Sequence, residues 1–291
     1  MDIQFTTLSQ LSMTEALKLH NDGFQDYFVN IQMDLDTYIR RLGTLSLSPL
    51  HSPVILVDQK PVGFVLNGFL TSDGNLLAWN GGTAIHPNYR GIGLGQSLME
   101  RTIEIYEALG VDRAFLEAIA MNKAAIALYE RIGYQMKGDL LSMKHVGPWE
   151  ESIQTNAFRF ESGLGKIVTM LPFYDQDSQW QTKAEHIANG EAMIVYNVCN
   201  EALGYILFAK KHNESGEEEH IQVFQFKIEP NVRDQDGVAK ALLNQLFNST
   251  SSNAVRQIFN LPREHKQVVE VLVRHGFERM VEQVHMVKCF T

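Results

Sequence analysis

Two hydrophobic periods alternate along the chain, and the switches between them outline its elements. The apolar runs at 54–57 and 62–69 flank Asp58-Gln59-Lys60-Pro61, which predicts a strand, a tight turn and a second strand. Ahead of them, 13–20 and 35–42 read as two helices. The segment 76–85, LLAWNGGTAI, reads as a strand. Behind it, QSLMERTIEIYEALG puts Leu98, Ile103, Ile105, Tyr106 and Leu109 on roughly one helical face. A strand at 114–120, a helix after Asn122 and a last strand near 140–145 complete the series. Helices and strands in this order predict an α+β fold with a central mixed, mostly antiparallel sheet flanked by helices.

The second half repeats the first. Gly63 in a strand-turn-strand signal has its echo in Gly204, 141 positions later. Ile85-His86-Pro87-Asn88-Tyr89-Arg90 returns as Ile228-Glu229-Pro230-Asn231-Val232-Arg233, with the prolines 143 positions apart. Arg131-Ile132-Gly133-Tyr134 returns as Arg274-His275-Gly276-Phe277, again at 143. Three landmarks at nearly one offset predict a tandem duplication, 1–146 and 147–291. The join falls near 145–152, where Gly147-Pro148 breaks the preceding strand.

Arg90 to Gly95, RGIGLG, is then a turn from strand to helix. Its glycines carry no Cβ to hold a ligand off the backbone, and the first amides of the helix are left for an anion such as pyrophosphate. Arg90 is placed to add a charge-assisted contact to a phosphate oxygen. The spacing R-x-x-G-x-G is not the dinucleotide fingerprint, since Gln96 stands at its third glycine, and the Lys-Ser/Thr of a P-loop is missing.

The strand ending Ile85-His86-Pro87, the turn Arg90-Gly91-Ile92-Gly93-Leu94-Gly95, and Asn122, Ala125, Leu128, Tyr129, Gly133 and Tyr134 together resemble the GCN5-related N-acetyltransferase (GNAT) family. The resemblance implies two tandem acyl-CoA N-acyltransferase folds, with acetyl-CoA as acyl donor. It implies that the backbone at Ala84 and Ile85 pairs with the pantetheine arm. The turn from Arg90 through Gly91, Ile92, Gly93, Leu94, Gly95 and Gln96 would hold the pyrophosphate, with Asn122 and Tyr129 beside the pantetheine and the sulfur. The implied reaction is N-acetylation of an amine on a small molecule or peptide. Acyl-CoA binding without turnover, as a sensor or scaffold, is the alternative.

Such a transfer needs a neutral amine, although a lysine-like amine with a pKa of about 10 is mostly protonated near neutrality. A base must take its proton, and a donor assists the departing thiolate, whose thiol has a pKa of about 8.5. Tyr129 is the candidate donor; at the helical spacing of Ile126 and Leu128 it is equally suited to packing in a core. Glu117, a charge inside the apolar strand 114–120, is the candidate base, because burial raises a carboxyl pKa. A partly solvated or salt-bridged glutamate is its other reading. The order Glu117, Asn122, Tyr129 looks like the base, asparagine and acid order of acetyltransferases that modify a ribosomal protein's N-terminal amine. Trp79, Asn80, Tyr27, Phe28 and Trp180 are candidates to face the acceptor, and His86 to relay protons; core or solvated positions are the plainer readings. Asn80-Gly81-Gly82 marks a bulge or splay in its strand, or else a hairpin turn between Leu77 and Thr83.

The copies are unequal. The second turn, Arg233-Asp234-Gln235-Asp236-Gly237-Val238-Ala239, keeps one glycine and gains two carboxylates, which oppose an anion. Leu272 stands at the place of Tyr129 and His265 at that of Asn122. The second half is therefore expected to be a degenerate copy without a site.

Composition adds limits. The net charge of −9 spreads over both halves, with no basic stripe for nucleic acid. No leader and no long apolar run is visible, so the expectation is a cytoplasmic protein without membrane contact. Cys199 and Cys289 are too few for a disulfide framework, the acidic run Glu217-Glu218-Glu219 reads as a solvated loop, and no spacing suggests a metal. The tandem copies are expected to pack as a pseudo-dimer within one chain, a monomer or weak homodimer overall.

Overall fold

The computed structural model describes residues 1–149, 158–248, 250 and 253–290. The first half runs β1 (Ile3–Thr7), α1 (Met13–Gly23), α2 (Leu35–Thr44), β2 (Pro53–Val57), β3 (Lys60–Ser72) and β4 (Asn75–Ile85). It continues with α3 (Leu94–Leu109), β5 (Arg113–Ile119), α4 (Lys123–Arg131) and β6 (Gln135–Val146). The second half runs β7 (Arg159–Leu164), β8 (Glu191–Tyr196), β9 (Ala202–His212), β10 (Glu218–Ile228), α5 (Gln235–Phe247), β11 (Val255–Pro262), α6 (Lys266–Arg274) and β12 (Glu278–Cys289). Short 3-10 turns between Gly165 and His186 stand where the first half has α1 and α2. The edge strand β1 had no periodic signal of its own.

Packing divides the chain into two units. One is Met1–Lys137 together with the stretch from Val284 onward; the other is Gly138–Gln283. The division therefore cuts through β6 and β12 and differs from the chain-order boundary at 146, while the part of the expected join from 150 to 152 lies outside the described residues. Burial explains the exchange. Leu141 and Met143 of β6 sit in the core with Ile258 and Leu261, whereas Val284 and Met286 of β12 sit in the core with Leu98, Tyr106 and Leu116. Each half's last strand thus finishes the unit built by the other half.

In the first unit the strand order is β1-β2-β3-β4-β5 followed by the end of β12. The pairs from β1 to β4 are antiparallel, and β4 lies parallel to β5. That parallel register spans only Leu77↔Arg113 to Asn80↔Leu116, although β4 goes on along β3 as far as Gly63↔Ile85. Beyond Asn80 the two parallel strands separate, with a bulge in β4 across Asn80 to Gly82. The hairpin reading of this segment is overturned, because Asn75–Ile85 is one strand.

Helix α3 crosses between these strands. It is bounded by glycines in the left-handed region, Gly93 at φ 91° and Gly110 at φ 70°. Its buried face is Leu94, Leu98, Met99, Thr102 and Tyr106; Leu109 is exposed, a turn outside the face expected for it.

The second unit has the order β6-β11-β10-β9-β8-β7, with β10 and β11 parallel from His220↔Val255 to Val223↔Ile258. The acidic run is mostly strand. Glu218 and Glu219 open β10 and pair across to Lys210 and Lys211 of β9. Among the described residues, no helix is long and apolar enough to cross a membrane.

The exchange of last strands is testable. Met286 is fully buried in the first unit's core, so Met286→Ala is expected to cost about 2–5 kcal/mol there. Fluorine NMR after fluorotryptophan labelling separates Trp79 from Trp149 and Trp180. The urea transition reported by Trp79 moves down; an unmoved Trp79 transition would place the strand outside that unit.

Candidate active site

The glycine turn lies at the end of β4. Gly91 and Gly93 take φ of 81° and 91°, values a side chain resists, and a Cβ at either would point into open space. The need is therefore in the backbone. Gln96 and Ser97 both donate to Gly93 O, while the amides of Gly91, Ile92, Gly93, Leu94 and Gly95 find no acceptor among the described residues. No acidic residue stands in the first turn of α3 and no side chain caps it. This is a helix start suited to an anion. At Gly95 a Cβ would meet only ordinary contacts, at 3.6 Å from Leu128 and 4.0 Å from Ile85.

Arg90, expected to contact a phosphate oxygen, makes three hydrogen bonds to backbone carbonyls. Its Nε donates to Ile85 O at 3.0 Å, and Nη2 donates to Gly23 O at 3.0 Å and Gln25 O at 3.3 Å. The guanidinium ties the end of α1 to the end of β4, which fixes the approach to the turn. His86 accepts from the Asn88 amide at 3.3 Å and packs on Tyr89, joined to no other candidate.

A polar cluster fills the gap where β4 leaves β5. Glu117, on β5, has a side chain only 4 % exposed. Its Oε2 accepts from Trp79 Nε1 at 2.8 Å. Trp79 reaches it because Gly81 has no side chain: a Cβ there would lie 2.5 Å from the indole. Arg41 of α2 donates from Nη2 to Gly81 O at 2.9 Å, and its guanidinium lies over the Trp79 ring. On the other side, Oε1 lies 3.8 Å from Nε2 of His285 on β12. Burial pushes the Glu117 carboxyl up to about 7, against the smaller opposing effects of the Trp79 hydrogen bond and the Arg41 charge.

The second half of the cluster lies on β4 and α4. Asn80 donates to Thr83 Oγ1 at 2.8 Å and accepts from Gly82 N at 3.0 Å, across the bulge. Thr83 is a hydrogen-bond partner of Tyr129, whose hydroxyl is pushed up to about 12 by burial. Tyr129 therefore stays protonated throughout the neutral range, a standing O–H donor. Asn122 caps α4 by accepting from Ala125 N at 3.2 Å, and it also hydrogen bonds Tyr27, whose pKa burial raises. Tyr27 lines a cavity of about 260 Å³ with Phe24, Asp26, Val29, Asn30 and Gln32.

Of the aromatic candidates, Trp79 is core and Phe28 is exposed, and Trp180 is buried in the second unit, stacked on His186. Thr83, Arg41 and His285 were not read as site residues. Arg41 is one charge on a charged helix, and His285 lies 168 positions beyond Glu117, so neither carries a local signal.

The second unit's turn is closed by its own carboxylates. Asp234 caps α5, its Oδ1 accepting from Gly237 N at 2.9 Å, and Asp236 is paired with Arg274 and with Lys240. His265 starts α6 without capping it, and Leu272 is fully buried. Among the described residues, no three His, Cys, Asp or Glu side chains gather as a metal site.

The buried carboxyl sets a stability window. Its folded pKa of about 7 lies above the ordinary 4.5, so its contribution is fully present below about 4.5 and is lost as pH rises through 7. The loss is on the order of 3 kcal/mol. Glu117→Gln is expected to unfold at a higher temperature than the unsubstituted protein at pH about 8, with the difference shrinking towards pH about 5 in thermal scans.

Residues 13–134 match the family model described as the acetyltransferase (GNAT) family. The ribosomal protein bS18-alanine N-acetyltransferase of Escherichia coli is 47% identical over 51 residues, 18% of this chain and 34% of that protein. Its Salmonella typhimurium counterpart is 32% identical over 80 residues, 28% of this chain and 51% of that protein. The chain thus spans about a third to a half of the length of these curated relatives. Among solved structures, a tandem GNAT protein from the clavulanic acid biosynthesis pathway superposes with a TM-score of 0.66 at 12% identity, covering 99% of this chain and 98% of that one. A GCN5-related N-acetyltransferase from Sphaerobacter thermophilus gives 0.61 at 14% identity, covering 99% and 95%. These two likenesses concern the fold. The chain is a tandem GNAT fold, and its segment 13–134, which carries the open glycine turn and Glu117, matches the model of the GNAT acetyltransferase family.

Proposed function

We propose that the first unit transfers an acetyl group from acetyl-CoA to an amine of a small molecule or peptide. The observation that carries the reading is the Glu117 carboxyl, buried where β4 and β5 part and pushed up to about 7, in the unit whose α3 turn has amides that find no acceptor among the described residues. A group poised near neutrality accepts a proton from a protonated amine without being a strong base in water. The turn amides hold the pyrophosphate, and the edge of β4 at Ala84 and Ile85 receives the pantetheine arm.

In the proposed step Glu117 takes the amine proton through a water, since its side chain is enclosed. The amine nitrogen forms its bond to the acyl carbon and the carbon–sulfur bond breaks. Tyr129, protonated and beside Thr83, donates a hydrogen bond to the departing sulfur, which leaves as thiolate and takes up the second proton shed by the new amide nitrogen, so that the products are the neutral amide and the free thiol of CoA. The cavity at the end of α1, with Asp26 on its wall and Tyr27 between it and Asn122, takes the amine-bearing group. A carboxylate there favours a cationic acceptor. The 51-residue likeness to alanine N-acetyltransferases makes a peptide beginning with alanine the first acceptor to try. The second unit, with its turn amide taken by Asp234, is a degenerate copy without a cofactor site of its own.

Isothermal titration with acetyl-CoA and CoA tests the cradle. Gly95→Asp brings into the first turn of α3 the kind of charge that the second copy carries, at a site with room for a side chain. Acidic residues suit a helix start, so folding is retained, and CoA affinity is expected to fall at least about tenfold; unchanged affinity would sink the site. Transfer to an alanyl peptide tests the chemistry. With Glu117 as base, kcat/KM falls about tenfold per pH unit below 7, and Glu117→Gln removes that limb together with most of the activity. Tight CoA binding without transfer to any amine would favour the sensor reading.

A further inference from the structure

Glu117 is not surrounded by the first half of the chain alone. Arg41 approaches from α2 and Trp79 from β4, but the group facing Oε1 is His285, from the last strand. The imidazole is held flat against Phe115, with ring centroids 5.7 Å apart. Arg113 and Lys137 lie over the Phe115 ring as well, at 5.7 and 5.8 Å. His285 and Glu117 have side chains 3 % and 4 % exposed.

The duplication supplies an internal control for this contact. Asn260 comes 143 positions after Glu117, and His285 comes 143 positions after Ser142, the offset of the proline and glycine landmarks. In the second unit Ser142 of β6 and Asn260 of β11 meet. Ser142 Oγ donates to Asn260 Oδ1 at 3.3 Å and accepts from Asn260 N at 3.2 Å. The same strand exchange therefore brings the same two positions together twice, once as serine and asparagine and once as histidine and glutamate. The neutral pair belongs to the unit whose turn Asp234 closes, and the ionisable pair to the unit whose turn is open.

Packing alone does not call for the second pair. Ser142 and Asn260 fill these positions with neutral groups, whereas a buried carboxyl costs several kcal/mol to ionise unless it is well partnered. We propose that His285 is a positioning residue for the first unit's base: its Nε2 holds Oε1 of Glu117 while Trp79 holds Oε2, so that the carboxylate is oriented by the final strand of the duplicated copy. At 3.8 Å in the unliganded protein the imidazole is already close enough to bias the ionisation of the carboxyl, so its removal is felt with or without substrate. The proposal rests on the reading of Glu117 as the base.

Carbon NMR of carboxyl-labelled glutamate follows Glu117 directly, its signal identified by its absence in Glu117→Gln. With the donor removed in His285→Leu, the midpoint is expected to rise by about one pH unit. His285→Gln, which keeps an N–H, leaves it close to that of the unsubstituted protein. With acetyl-CoA and an alanyl peptide, His285→Leu moves the acidic limb of kcat/KM by the same amount and leaves the KM for acetyl-CoA unchanged. A purely structural histidine would lower stability and rate at every pH without moving the midpoint. An unmoved midpoint in His285→Leu overturns the proposal. Full transfer activity in Glu117→Gln overturns the base reading instead, whatever His285 does.

Discussion

Two parallel strands that stop pairing after four registered positions leave polar backbone with no partner in the sheet, and most of the first unit's chemistry answers that constraint. The bulge at Asn80 to Gly82 turns β4 away. Arg41 then takes Gly81 O, Asn80 takes the Gly82 amide, and Thr83 links the strand to Tyr129. Glu117 enters the same gap from β5. An unpaired strand edge in a protein interior costs several kcal/mol unless polar groups meet it, so the side chains that line the gap are also those that allow the gap to exist.

The two units show what the same constraint becomes under different side chains. In the second, β10 and β11 also lose their parallel register after four positions. Yet Gln225 there bonds Tyr205, Ser178 and the Thr182 carbonyl, and Asp234 covers a helix amide. Every one of these partners comes from within the chain. The first unit instead keeps a carboxyl at about 7 and a row of open amides. Stability and reactivity are drawn from the same set of backbone groups, and each unit resolves the competition in its own way.

What the sequence made legible was local. The glycine turn, the helix behind it and the buried charge in an apolar strand are each contained within 16 residues or fewer, where periodicity and conformational limits operate. The repeat was legible because proline and glycine keep their spacing. Arg90 was legible as part of a motif, but its acceptors Gly23 O and Gln25 O lie 67 and 65 positions away and redirect it. The exchange of last strands was not legible, because β6 and β12 both carry alternating apolar residues that suit either sheet. Which sheet each joins is a tertiary decision. His285 inherits that difficulty, since nothing near it in sequence names Glu117.

The exchanged strands also set a timetable for synthesis. The first unit's core contains Val284 and Met286, so that unit cannot finish folding until the stretch through Met286 has been made. A nascent first half must wait with an open sheet edge and an unfilled core, the condition in which chains aggregate or recruit chaperones. In return, a product truncated before Val284 lacks both the core residues and the histidine beside Glu117. Translation past Met286 thereby becomes a condition for assembling the site.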